Sequence, residues 1–131
     1  MAMALHNLGH VTQHQGDLAR AGSIFAESLL LFHEAEAKVG IAMSLAGLAG
    51  VAAAHGVAGS AERAARLFGA AQSLLDATGT TLQAADLGDY THNVSLARSQ
   101  LDQKSFDTAW AQGSTMALKD AVAYALMTVD A

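Results

Sequence analysis

Residues 5–28 read LHNLGHVTQHQGDLARAGSIFAES, and residues 45–71 read LAGLAGVAAAHGVAGSAERAARLFGAA. The two stretches share one skeleton. In the first, Leu5, Leu8 and Gly9 lead to Gly16, Arg20-Ala21, Phe25 and Ser28. In the second, Leu45, Leu48 and Ala49 lead to Gly56, Arg63-Ala64, Phe68 and Ala71. The front halves match at an offset of 40 and the back halves at 43. The three extra residues fall in the turn after Gly56, where an insertion disturbs least. A period of this length marks stacked helical pairs. Such arrays bind partners far more often than they do chemistry.

The composition agrees. Thirty of the 131 residues are alanine, the strongest helix former, and there is no proline. β-branched and aromatic residues are sparse, so strands have little to be built from. The fold class is all-α, and 131 residues suffice for one domain with a real core, or for a piece of a longer array. Seven basic and twelve acidic residues give a net charge of −5, with no Lys/Arg cluster. A nucleic-acid surface needs a basic stripe, so direct DNA or RNA binding is not expected. No apolar run approaches the length of a membrane span, and the N-terminus lacks the pattern of a signal peptide. Without cysteine there is no disulfide, thiolate nucleophile or thiolate metal site. A cytoplasmic setting fits these features.

Apolar spacing and punctuation divide the chain. Leu5, Leu8 and Val11 place a first helix over about Ala2–Gln15, stopped by Gly16. Asp17 is a good N-cap for a second, carrying Leu18, Ala21, Phe25, Leu29 and Phe32. The run Leu29-Leu30-Leu31-Phe32 implies burial on more than one side. A third helix, about Val39–His55, is poor in bulk: Ala42, Ala46, Gly47, Ala49, Gly50, Ala52, Ala53 and Ala54 let helix axes approach closely. Ser60 is expected to cap a fourth, with Ala64, Leu67, Phe68, Ala71, Leu74 and Leu75 inward and Thr78-Gly79 at its end. Beyond Gly79 the repeat fades. A fifth helix carries Leu87, Tyr90, Val94, Ala97 and Leu101. A sixth, capped by Asp102 and stopped by Gly113, holds Phe106 and Trp110. A seventh covers Leu118–Met127, with Val122, Ala125 and Leu126 inward and Ala117 at its N-cap position. Residues 1–131 thus form a single domain: a helical hairpin over 2–36, a second over 39–79, and a three-helix C-terminal cap over 82–131.

The hairpins resemble tetratricopeptide (TPR) repeats, whose helix A carries W-x2-L-G-x2-Y and whose helix B carries A-x3-F. Here helix A reads Leu5-x2-Leu8-Gly9-x2-Thr12 and Leu45-x2-Leu48-Ala49-x2-Ala52, and helix B reads Ala21-x3-Phe25 and Ala64-x3-Phe68. The large helix-A aromatics are reduced to Leu, Thr and Ala, the closing proline is missing, and the period is 40 rather than about 34. The segments ERAARLFGAAQSLLDATG, SFDTAWAQG and DAVAYAL resemble the C-terminal end of the TPR region in bacterial regulators that join a signalling ATPase to a cyclase or a LuxR-type DNA-binding domain. The resemblance covers essentially the whole chain. It implies TPR-like antiparallel helical hairpins, an α-solenoid fragment, with a scaffold or sensor role and no activity of their own. Met1 falls where the first helix is already under way, so the chain is expected to be a fragment or a truncated homologue.

His6, His10 and His14 recur every four residues and form one stripe on the first helix. Two histidines at this spacing can share a metal, but no Asp or Glu lies within that helix to complete a shell. A purpose-built metal site is therefore not expected, and no cofactor is assigned. By the TPR register, Met3, His6, His10, Gln13 and His14 line the concave groove where partners dock; the bland alternative is a solvated helix face. The matching third-helix positions, Met43, Ala46, Gly50, Ala53 and Ala54, offer no side-chain chemistry, which suits a groove covered by the capping helices. Asp86, Asp89 and Asp102 read as caps and solvated acids. Gly47-Leu48-Ala49-Gly50 and Gly56–Ser60 lack the strand and the Gly-Lys-Ser/Thr of a phosphate loop. Ser28, Ser44 and Ser73 have no His-Asp pattern. Phe106, Trp110 and Tyr124 read as core aromatics. The chain is expected to be no enzyme. It is read as a protein–protein interaction or self-association module of a bacterial transcriptional or signalling regulator. The alternative is a small-molecule effector sensor with its ligand between groove and cap. Ala4, Leu8 and Val11 face the place of a preceding repeat and form an association strip, so a homodimer is expected.

Overall fold

The computed structural model describes residues 2–56, 58–82 and 84–127. Met1, on which the truncation expectation rests, lies outside them. Among the described residues there are seven helices and no strand: α1 (Ala2–His14), α2 (Leu18–Glu34), α3 (Lys38–Ala54), α4 (Ala58–Thr78), α5 (Ala84–Ser99), α6 (Gln103–Ser114) and α7 (Leu118–Met127). None of them is long and apolar enough to cross a membrane.

Local chemistry sets the boundaries. α1 ends in a left-handed Gly16 (φ 87°). The Gly16 N–H donates to the Gln13 carbonyl (2.9 Å) and the Asp17 N–H to that of Thr12 (3.2 Å), closing the helix with a paired C-terminal motif. Asp17 then caps α2 by accepting from the Arg20 N–H at 3.2 Å. Asp102 does the same for α6, accepting from the Ser105 N–H at 2.6 Å. That bond holds its carboxyl below the usual range. α4 already begins at Ala58, so Ser60 lies inside its first turn and not ahead of it. Leu101 lies beyond α5, whose last helical residue is Ser99.

Consecutive helices pack in order, α1 on α2, α2 on α3 and α3 on α4; α5 crosses α3 and α4, α6 packs along α4, and α7 touches α2, α3 and α4. α3 has neighbours all round. That is why it lacks a polar face: Ile41, Ala42, Leu45, Leu48, Ala49, Val51, Ala52 and Ala53 are all buried. Phe25 and Phe68, at matching places in the two hairpins, are fully buried. The Phe25 ring is held between two glycine backbones. A methyl at Gly9 of α1 would stand 2.7 Å from it, and one at Gly47 of α3 would strike the same ring. Gly40 makes the same kind of notch for Phe32. Glycine also lets α4 and α6 meet backbone to backbone, Gly69 against the Trp110 carbonyl and Gly113 against that of Arg66. In the cap, Phe106 is buried beneath the Arg98 guanidinium, 4.5 Å from its ring centre, while Trp110 and Tyr124 are half-buried. Ala121, Val122 and Ala125 seat α7, and Arg63 donates to the Ala125 carbonyl at 3.1 Å; Leu126 is half-buried.

Candidate functional site

The four-residue spacing does put His6, His10 and His14 on one side of α1. That side faces α5. His6 is buried, His10 half-buried and His14 exposed. α5 brings Asp86, in its first turn, and Asp89, one turn on, against the stripe. His6 Nε2 lies 3.4 Å from Asp86 Oδ1, and His10 Nε2 lies 3.2 Å from His6 Nε2 and 3.7 Å from Asp86 Oδ1. On the far side of the His10 ring, Nδ1 is 3.1 Å from Asp89 Oδ2, and His14 Nε2 is 3.2 Å from that same oxygen. Three imidazoles and two carboxylates thus interleave along the α1–α5 seam.

Two sequence-based expectations change here. The stripe is not an open groove, because α5 covers His6 and part of His10. Asp86 and Asp89 are not solvated acids: they supply the carboxylates that α1 lacks, from 80 and 75 residues away. The signal available in the sequence was their spacing of three, which puts both acids on one face of a helix to match histidines four apart.

The wall behind the cluster is apolar. His6 and His10 make edge contacts with Phe25, at centroid distances of 5.7 and 5.2 Å, and with each other at 4.6 Å. Burial, then the neighbouring His6, pushes the His10 pKa below its ordinary value, and Asp89 and Asp86 pull it back only in part. Among the described residues, His6 Nδ1 is buried without a hydrogen-bond partner. A cavity of about 20 Å³ opens at the cluster, lined by His6, His10, Asp86 and Asp89 together with Met43, Ala46 and Tyr90. It has room for a single water. Tyr90 donates to Gln72 Oε1 at 2.8 Å, and burial, with a smaller contribution from Asp76, pushes its phenol up to about 12.

The other expected site residues lie apart from this cluster. Met3 is exposed at the α1 end, near Met43 and Leu82. Gln13 is half-buried, and its amide nitrogen approaches Gly50 beside Asn93. Ala4, Leu8 and Val11 lie on the opposite side of α1 and are exposed.

Comparison with protein-family models, with curated proteins and with solved structures finds no match to this chain.

Proposed function

We propose that this chain is a non-enzymatic, TPR-like helical-repeat module of a bacterial regulatory protein. Its work is to bind protein, beginning with a second copy of itself across the outer face of α1. A cytoplasmic setting goes with this reading. One observation carries it, and it comes from equivalent positions in the two repeats. Ser44, Leu48 and Val51 of α3 are 0, 1 and 6 % exposed. Ser44 Oγ lies 3.0 Å from Ser28 Oγ of α2, and Val51 packs beside Gly22. Forty residues earlier, Ala4 is exposed, and Leu8 and Val11 are 43 and 53 % exposed. The same register that buries α3 under a preceding helix leaves this strip of α1 exposed among the described residues. An apolar strip of this kind is an association surface, and the simplest closed arrangement pairs it with itself about a two-fold axis.

Met3, Gln13 and His14 remain reachable at the edges of the groove for a further partner. An organic effector beneath α5 is the competing reading. The space at the histidine cluster itself is about 20 Å³, the size of one water, so such a ligand would have to sit in the roomier hollow beside it, about 260 Å³ between His14, His92 and Leu96.

Analytical ultracentrifugation tests the self-association. The wild type should dimerise in the micromolar range, and Val11→Asp should be monomeric at the same concentrations. A wild type that stays monomeric at high micromolar concentration refutes the proposal. So does a dimer indifferent to both Val11→Asp and Ala4→Asp.

A further inference from the structure

We propose that His6 Nε2, His10 Nε2 and Asp86 Oδ1 are three ligands of a Zn²⁺ site that ties α1 to α5. The three atoms stand 3.2, 3.4 and 3.7 Å apart. Bonds of 2.0–2.1 Å at a tetrahedral angle place neighbouring ligand atoms about 3.3 Å apart. The triangle is therefore already close to the right size, and small rotations of the side chains would complete it.

Proton counting gives a second, independent reason. With Asp89 Oδ2 3.1 Å from Nδ1, the His10 tautomer that hydrogen-bonds it carries its proton on that nitrogen and presents Nε2 as a lone pair. Asp86 Oδ1 is an acceptor as well. Only His6 can put a proton into the triangle, and one proton cannot serve both neighbours. In one tautomer of His6 two acceptors compete for a single hydrogen, and in the other three acceptors face one another with none. A cation takes all three lone pairs at once. Two imidazoles and one carboxylate are a donor set that suits Zn²⁺ among the divalent ions.

The surroundings supply the rest. Asp89 against the back of His10 is the carboxylate–histidine pairing that orients an imidazole ligand and raises its basicity. The adjoining cavity, about 20 Å³, has room for one water as a fourth ligand. The site and the proposed dimer face lie on opposite sides of α1, so either can fail without the other.

The test uses the full chain, purified free of metal and without a polyhistidine tag. Zn²⁺ affinity is read by competition with a chromophoric chelator, and geometry by the visible absorption of Co²⁺. The wild type should bind one Zn²⁺, give the intense bands of tetrahedral Co²⁺, and melt about 5 °C or more higher with saturating Zn²⁺. Asp86→Asn and His10→Ala should each weaken binding about 100-fold or more, and Asp89→Asn about 10-fold. His33→Ala, on α2 beside Glu34 and Leu118 and apart from the cluster, should bind as the wild type does. Circular dichroism confirms that each variant is folded; Asp86→Asn is nearly isosteric and on a partly exposed side chain, so its fold is retained. Absence of stoichiometric binding by the wild type at 100 µM Zn²⁺ overturns the proposal. Binding that survives Asp86→Asn also overturns it, because the ion would then be held by the α1 histidines alone.

Discussion

Two glycines at the same kind of helical position carry opposite expectations. Gly9 faces the Phe25 ring at a distance no Cβ tolerates, whereas Gly88 of α5 has nothing within 4 Å. Replacing a helical glycine by alanine gains up to about 1 kcal/mol in the absence of contacts. Gly88→Ala should therefore stabilise the protein by about 0.5–1 kcal/mol. Gly9→Ala forces the buried ring aside and should destabilise it by a net ~1–3 kcal/mol, since overpacking outweighs the propensity gain. Urea titration of both variants checks the pair; equal signs would mean that the Phe25 notch is wrong. At this scale half of the candidate site was legible. A histidine every fourth residue declares a stripe on one helix. The carboxylates that face it sit on a helix far along the chain, and no local pattern says that α5 folds back over α1 and α3. A reading confined to α1 finds no acid to set beside the histidines.

Helix ends show the same division. Gly16 and Gly79 sit where the sequence stops a helix, and both take the left-handed conformation that their neighbours' hydrogen bonds require. The junction between α2 and α3 uses the same bonding, Glu36 N–H to the His33 carbonyl at 3.1 Å and Ala37 N–H to that of Phe32 at 2.9 Å. Here the left-handed residue is Glu36, at φ 56°. A side chain in that region is disfavoured by roughly 1–2 kcal/mol. Glu36→Gly should accordingly raise stability by about 1 kcal/mol, read as a shifted urea midpoint at unchanged slope. An unchanged midpoint would mean that the Glu36 side chain compensates elsewhere. No glycine marks this turn, so the sequence places it only through the fading of one apolar stripe and the start of the next. Ser60 misleads in the other direction. It has the chemistry of a cap, but α4 begins two residues before it, so its hydroxyl falls inside the first turn.

For the molecule as a whole, the seam between α4 and α6 leaves the least room for added bulk. It joins the repeated hairpins to the C-terminal helices, and it is backbone on backbone. A methyl on Gly113 would be driven into the Arg66 carbonyl, which, unlike a ring or a long side chain, cannot swing away. Gly113→Ala should therefore destabilise the protein by about 3 kcal/mol or more, well beyond Gly9→Ala. A thermal melt that falls no further than that of Gly9→Ala would contradict the close crossing. The all-α class and the seven helices follow from alanine content, apolar spacing and punctuation, all of them local. The crossing of α4 by α6 and the course of α5 over α3 depend on where three glycines and one asparagine meet across the core: Gly69, Gly113, and Gly50 against Asn93. Such meetings are pairwise and distant, and a single sequence does not display them.

The placement of Phe25 has a consequence for motion. A phenylalanine ring turns over only when the atoms at its edges draw back. Here those edges are the backbones of α1 and α3 and the rings of His6 and His10. Rotation of one side chain thus waits for two helices and a pair of imidazoles to part together. Phe25 is the clock of the core: its turnover rate counts how often the α1–α2–α3 unit breathes, and anything that stiffens the imidazoles slows it.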